Sequence, residues 1–218
     1  MLSFTEENYL KTIYHLSQDN DKPVNTNSIA AVLETKAASV TDMLKKLSEK
    51  KLIDYVPYQG VTLTADGEKW ALKTVRRHRL WEYFLVEKLK YKWDEVHELA
   101  EELEHIPSDT LIDRLEAFLD YPKLDPHGDP IPDKKGNVRS RALVPLASLK
   151  VGQHGIISGV SEHSAAFLQY LDKTKLTLGR KVLVADIMDF DGSVHLNSDD
   201  AGQISISRDV AKNILIEV

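Results

Sequence analysis

The chain has 218 residues, of which 42% are hydrophobic, with 28 basic and 34 acidic side chains and a formal net charge of −6. That is ample apolar material for one large or a few small packed cores, and the absence of cysteine excludes a disulfide framework and any thiolate metal site, leaving imidazole, carboxylate, amide and backbone oxygen as possible metal donors. No run is long enough to span a membrane, and MLSFTEENYL has neither the basic nor the apolar stretch of an export signal, so a cytoplasmic protein with no membrane partner is expected.

Ser3-Phe4-Thr5-Glu6 has the S-x-x-E form of a capping box, and Tyr9, Leu10, Ile13 and Leu16 keep helical spacing after it, which predicts a first helix to about residue 17. A polar break over residues 18–25, containing Pro23, ends it. Residues 26–34 and 38–51 then read as two short amphipathic helices, through Ile29, Ala30 and Leu33 and through Val40, Leu44 and Leu47. Joined by a tight break, they form a helix-turn-helix pattern. The β-prone runs 52–58 and 61–64 around Gln59-Gly60 add a hairpin, so the motif is winged.

A second helix docked in a major groove presents its exposed N-terminal half, which makes Ala38, Ser39, Thr41 and Asp42 the candidate base-edge contacts. Lys36, Lys45, Lys46 and the hairpin tip are expected on phosphates, and Thr26 is counted with the DNA-contacting residues. The net negative charge does not oppose this, because the acidic surplus of residues 82–119 alone exceeds it.

Residues 65–90 predict one long helix, and 93–105 and 110–119 two more. Trp70, Leu72, Leu80, Trp81, Phe84, Leu85 and Leu89 are more large apolar groups than one monomer helix needs, which points to a homodimer. The stretch 121–141, with four prolines and two glycines, reads as a linker. Beyond it, β-prone runs at 154–160, 180–188, 193–197, 203–207 and 213–218, interrupted by a helical insert at 164–173, suggest an SH3-like β-barrel. The fold class expected is therefore mainly α with a small β part. Its divisions are a winged helix-turn-helix domain (1–72), a helical dimerisation and metal-binding domain with its linker (73–141), and the SH3-like domain (142–218).

The segment HELAEELEHIP (97–107) carries the densest chemistry. At 100° per residue His97, Glu101, Glu104 and His105 fall within an arc of roughly 100°, beside the apolar arc of Val96, Leu99, Ala100, Leu103 and Ile106. Alone, the segment also reads as a solvated acidic helix. His78 and Glu82 leave the preceding helix one turn apart on the same face, so two helices each offer a histidine and a carboxylate at helical spacing, which favours metal. No H-E-x-x-H or nucleophile pattern occurs, so neither an enzyme nor a small organic substrate is expected.

The winged helix, RRHRLWE at 76–82, VHELAEELEH at 96–105, the linker DPHGDPIP at 125–132 and the SH3-like C-terminal part together resemble the diphtheria toxin repressor family of iron- and manganese-dependent repressors, in its manganese transport regulator form with a C-terminal domain like ferrous transport protein A. The resemblance extends over essentially the whole chain. It implies an effector site of Asn8, Glu101, Glu104 and His105, joined by His78, and an ancillary site of His78, Glu82 and His97. Asp125 and His127 of the linker, and Glu162 or His163 of the C-terminal domain, stand where some members have further ligands. Asn8 stands where iron-type members have Met and manganese-type members Asp. Lys11 replaces a second acid of the shorter manganese regulators, against a close two-metal cluster. Ala166 replaces an expected Gln ligand. The implied function is repression of metal-uptake genes on double-stranded operator DNA, with Mn²⁺ or alternatively Fe²⁺ as corepressor. The alternatives are an iron-dependent repressor of iron uptake and a winged-helix regulator answering a small organic ligand.

Overall fold

The computed structural model describes residues 2–18, 23–199 and 202–218. The chain forms two compact units with interleaved segments: Met1–His78, Glu101–Arg114 and Pro132–Val138 make the first, and Arg79–Ala100, Leu115–Ile131 and Arg139–Val218 the second.

In the first unit, α1 (Phe4–Gln18) opens on the predicted capping box: the Ser3 amide donates to Glu6 Oε2 at 3.0 Å and the Glu6 amide to Ser3 Oγ at 3.3 Å. Part of the predicted break, residues 19–22, lies outside the described residues. α2 (Thr26–Val32) is capped by Asn25, whose side chain accepts from the Ser28 amide at 2.8 Å, and α3 (Ala37–Glu49) follows after a short turn. Leu10 and Ile13 of α1, Ile29 of α2, and Val40, Leu44 and Leu47 of α3 are completely buried together, as their spacing requires.

The hairpin β1 (Ile53–Val56) and β2 (Gly60–Leu63) is in register from Ile53↔Leu63 to Val56↔Gly60. Its strands are shorter than the β-prone runs, because the turn consumes residues 57–59, with Tyr58 fully exposed at φ 64°. Val24 bridges Val61 through two 2.9 Å hydrogen bonds, a pairing that sequence periodicity did not signal. Gly60 is required here, since its φ is 108° and a Cβ would lie 2.8 Å from the Val24 carbonyl oxygen.

α4 (Ala65–Glu87) is the long helix, and it begins in the first unit and continues in the second. The surplus of apolar groups on it is smaller than the sequence suggests: Leu72, Leu80 and Leu85 are buried within the protomer, Trp70, Trp81 and Phe84 are half-buried, and Leu89 is exposed. α5 (His97–Leu103) is shorter than the predicted 93–105. Residues 92–95 form a turn closed by the Glu95 side chain on the Lys92 amide, and Pro107 disfavours helical geometry at Ile106, so Glu104 and His105 lie in the turn after the helix. α6 (Asp109–Phe118) follows, and in the first unit it is tied to α4 by Lys73–Asp109 (2.6 Å), Arg77–Asp109 (3.1 Å) and Arg76–Asp113 (3.2 Å).

In the second unit, the predicted linker is partly packed structure. Leu124 bridges Pro130, Asp125 Oδ1 accepts from the amides of His127 (2.8 Å) and Asp129 (2.9 Å), and Asp125, His127 and Ile131 are buried. β3 (Val144–Pro145), β4 (His154–Val160), α7 (Ala165–Thr174), β5 (Lys181–Ile187), β6 (Val194–Ser198), β7 (Gly202–Ile206), α8 (Arg208–Lys212) and β8 (Ile214–Glu217) complete the chain. The strands form one antiparallel sheet in the order β3-β8-β4-β5-β6-β7. Alternation turns Ile157, Val182, Val184, Leu196, Ile214 and Ile216 onto Leu168 and Leu171 of α7. The class is as expected, mainly α with a small β domain, but β3 and β7 stand at opposite edges with no ladder between them among the described residues, so no barrel closure is seen.

Candidate metal centre

The first unit gathers Asn8, His78, Glu101, Glu104 and His105, five of the expected effector residues, around α1. Glu104 is completely buried, and its carboxylate is shared: Oε1 accepts from Lys11 Nζ at 2.6 Å, and Oε2 lies 2.7 Å from His78 Nδ1. Glu101 Oε1 accepts from the same ammonium at 2.6 Å and lies 3.9 Å from His78 Nδ1. His105 Nε2 is 3.7 Å from Glu104 Oε1, and its Nδ1 meets Glu7 Oε2 at 2.8 Å. Phe4 stacks on the His105 ring with centroids 4.7 Å apart. Asn8, Glu101 and His105 line one open cleft of about 610 Å³ with Phe4, Thr5 and Tyr9.

Sequence reasoning missed three members of this group: Glu7, the ion-pairing role of Lys11, and Arg77, whose Nη1 is 3.5 Å from Glu7 Oε1. The signal was available in part, because residues 7, 8 and 11 share one face of α1. Two buried cations, Lys11 and Arg77, sit among the carboxylates of this centre and balance part of their charge. One donor is left over: Asn8 Oδ1 is buried and accepts no hydrogen bond among the described residues. A buried amide oxygen without a donor is costly unless a cation or water meets it. Oxygen donors with two imidazoles suit Mn²⁺ or Fe²⁺, so the residues present fit such an ion.

A second cluster lies in the second unit. Glu82, Asp125 and His127 are all buried, and each offers a ligand atom within 4.8 Å of the others. His127 Nδ1 lies 3.4 Å from Glu82 Oε2 without a well-aligned hydrogen bond, while its Nε2 meets the Trp93 carbonyl at 2.9 Å, which directs Nδ1 into the cluster. His97 Nδ1 is 3.6 Å from Glu82 Oε1. Arg79 balances the acids through Asp125 (Nε to Oδ2, 3.4 Å) and Asp129 (2.8 Å). Burial, reinforced by the charges of Asp129 and Glu82, pushes the Asp125 carboxyl above the usual carboxylate range. Burial pulls the His127 imidazole down, but contact with Glu82 and the charge of Asp125 outweigh it and raise it. His163 stacks on His127 with centroids 4.8 Å apart, and burial holds it below the usual histidine range. Glu162 is exposed, its Oε1 accepting from the Ser164 amide at 2.8 Å, and it is not among the acids that converge here.

The candidate DNA-contacting residues divide by their surroundings. Lys36, Ala38, Ser39, Asp42 and Lys45 are exposed on the first turns of α3 or just before it, and Thr26 is half-buried at the start of α2. Thr41 is half-buried, with its hydroxyl donating to the Ala37 carbonyl at 3.0 Å. Lys46 is tied to Glu6 of α1 at 3.0 Å, so it anchors the fold as well as offering charge.

The chain matches the model of the iron-dependent repressor N-terminal DNA-binding domain over residues 1–61, that of the iron-dependent repressor metal-binding and dimerisation domain over 64–133, and the FeoA domain over 144–218. It is 37% identical over 119 residues, 55% of this chain and 95% of the relative, to an uncharacterized HTH-type transcriptional regulator of Methanocaldococcus jannaschii. It is 34% identical over 128 residues to the iron-dependent repressor IdeR of Mycobacterium leprae, covering 59% of this chain and 55% of that protein, so the match spans about half of that repressor's length. A solved manganese-dependent transcriptional repressor in complex with manganese superposes with a TM-score of 0.89 at 35% identity, covering 97% of this chain and 98% of the other. The two repressor domains follow one another in order, over the residues that carry the ligand clusters and the helix-turn-helix, and on these grounds the chain belongs to the iron-dependent repressor family, that of the diphtheria toxin repressor.

Proposed function

We propose that the protein is a homodimeric, cytoplasmic repressor of metal-uptake genes that binds double-stranded operator DNA when Mn²⁺, or alternatively Fe²⁺, is held as corepressor. Residues 1–72 carry DNA binding, 73–141 dimerisation and the metal centres, and 142–218 the SH3-like domain. The observation that carries the reading is the buried Asn8 Oδ1, which accepts no hydrogen bond among the described residues and lines one cleft with Glu101 and His105.

Asn8, Glu101, Glu104, His105 and His78 hold the effector ion, with Glu7 orienting the His105 ring through its other nitrogen. Glu82, Asp125 and His127, with His97 and His163 nearby, form the second centre. Bound metal supplies a divalent charge that links α1 to the turn after α5. α1 also carries Glu6, whose carboxylate holds Lys46 and Lys50 of the α3 segment, so fixing α1 fixes the reading helix. The ion acts as a switch to the extent that these donors bind it more tightly in the DNA-competent arrangement. Exposed Ala38, Ser39 and Asp42 then meet base edges, and Lys36, Lys45 and the tip at Tyr58 meet phosphates. Half-exposed Trp81 and Phe84 with exposed Leu89 and Phe118 supply apolar surface for a partner protomer. Manganese is favoured over softer-ligand metals because the donors are oxygen and imidazole without sulfur.

Fluorescence anisotropy on candidate operator fragments tests the reading, with Mn²⁺, Fe²⁺ and Zn²⁺ compared against chelated protein. Tight binding only with Mn²⁺ or Fe²⁺ is expected, and equal operator affinity in chelator would overturn it.

A further inference from the structure

The Lys11 ammonium sits between two carboxylates of the first unit's centre. It is 8% exposed, it lies 2.6 Å from Glu101 Oε1 and 2.6 Å from Glu104 Oε1, and these are carboxylates the proposed function assigns to metal. A divalent ion held by those same oxygens would need the space that the ammonium fills. Both cations cannot hold these atoms together, because a +1 and a +2 charge in van der Waals contact in a buried site repel strongly. Asn8 and Lys11, three residues apart on one face of α1, present the two halves of the arrangement: a neutral oxygen with no donor among the described residues, and a charge that already has two acceptors.

We propose that Lys11 is a tethered counter-ion that makes metal capture at this centre an exchange, in which its ammonium leaves Glu101 and Glu104 as one divalent ion takes them. This rests on the assignment of these carboxylates as metal ligands. The exchange has two consequences. Metal affinity is lower than the donor set alone would give, since each binding event breaks a buried ion pair, and the repressor therefore responds at a higher free metal concentration. The centre also takes one divalent ion and not two, because the displaced ammonium stays tethered to α1 and keeps a positive charge close to the site. Lys11 has a route outward, since its long aliphatic stem lets the charged end swing to water while the methylenes stay packed. In metal-free protein the same contact offsets the mutual repulsion of the two carboxylates.

The test uses the full-length chain in a Glu82→Gln background, which silences the second cluster, and reads Mn²⁺ affinity by competition with a fluorescent chelator at fixed pH. Lys11→Met, which keeps the stem and removes the charge, is expected to bind Mn²⁺ at least about tenfold more tightly than the parent, while Lys11→Arg stays within about threefold of it. Melting in chelator is expected to fall for Lys11→Met and to recover with Mn²⁺, a pattern that a merely structural lysine does not produce, because loss of packing would weaken metal binding. Lys11→Gln serves as the second neutral variant if Lys11→Met does not fold. Unchanged or weaker affinity in a folded neutral variant overturns the exchange while leaving the ligand assignment standing. If Glu104→Gln in the same background leaves Mn²⁺ affinity unchanged, the ligand assignment fails and the exchange falls with it.

Discussion

Replacing Glu104 with Gln separates the roles of its carboxylate. The side chain has no solvent exposure, with one oxygen 2.6 Å from Lys11 Nζ and the other 2.7 Å from His78 Nδ1. Gln keeps the volume and one acceptor oxygen, which can still accept from Lys11, while its NH₂ faces His78 and removes a hydrogen bond that the imidazole donates there. A lost hydrogen bond to a charged partner costs about 1.5–3 kcal/mol, which the fold should tolerate because Lys11 still holds Glu101. The effect on metal is larger in proportion. Even residues that only support a ligand change affinity 10–100-fold, so removing an anionic ligand should raise the Mn²⁺ dissociation constant by at least about 100-fold, or about 2.7 kcal/mol. Titration calorimetry should therefore lose one Mn²⁺ equivalent, with the equivalent belonging to Glu82, Asp125 and His127 unaffected, and operator binding should lose its metal response. A folded Glu104→Gln protein with the original stoichiometry and affinity would refute the placement of the effector ion.

Glu6 links pH to stability: burial would raise its carboxyl, but hydrogen bonds from Lys50, the Ser3 amide and Lys46 outweigh that and lower it from 4.5 to about 2. A depressed folded-state value stabilises above the unfolded value and is lost as pH falls from about 5 toward 2. With both lysines half exposed, the contribution is about 1–2 kcal/mol, and Glu6→Gln should flatten this acid limb in urea titrations between pH 3 and 7. Lys45→Ala should weaken operator binding and reduce its salt dependence by about one unit of slope with Mn²⁺ affinity intact, since Lys45 has only an exposed 3.4 Å pair with Asp42 to lose; an unchanged gel shift would move the phosphate contacts elsewhere. Gly67→Ala would drive a Cβ into the Leu52 carbonyl oxygen in the first turn of α4, and a loss of about 2–3 kcal/mol is expected in chemical denaturation, whereas a neutral result would mean that the hairpin yields easily.

Local rules made much of the molecule legible without coordinates. The Ser3–Glu6 capping box, the helix-turn-helix and the alternating strands are short-range patterns, and each was found where its residues required. Histidine and glutamate spacing likewise pointed to Glu101, Glu104 and His105, although the helix they were expected to share ends at Leu103. Periodicity reports which residues share a face, not what lies opposite. For that reason Leu80 and Leu85 looked like interface residues although the protomer buries them itself, and Asp125 and His127 looked like linker although their ring and carboxyl are packed beside Glu82. Glu162 shows the same limit in reverse, since a two-residue turn sends its carboxylate to the Ser164 amide.

What the sequence by itself determined is the inventory: donors without cysteine sulfur, an amphipathic helix-turn-helix, an acidic segment at 82–119, and a β-rich C-terminal part. What only the tertiary structure decided is how charge is balanced in the centre. Lys11 and Glu104 are separated by 93 residues in the chain, and no local spacing could announce that they meet at 2.6 Å. Electrostatic partners in a buried site are chosen by proximity after folding, where the low dielectric makes each pairing strong and each omission costly. Tertiary packing turned a surface-like lysine into a cation held between Glu101 and Glu104, and left the Asn8 oxygen on the same helix face without a donor among the described residues.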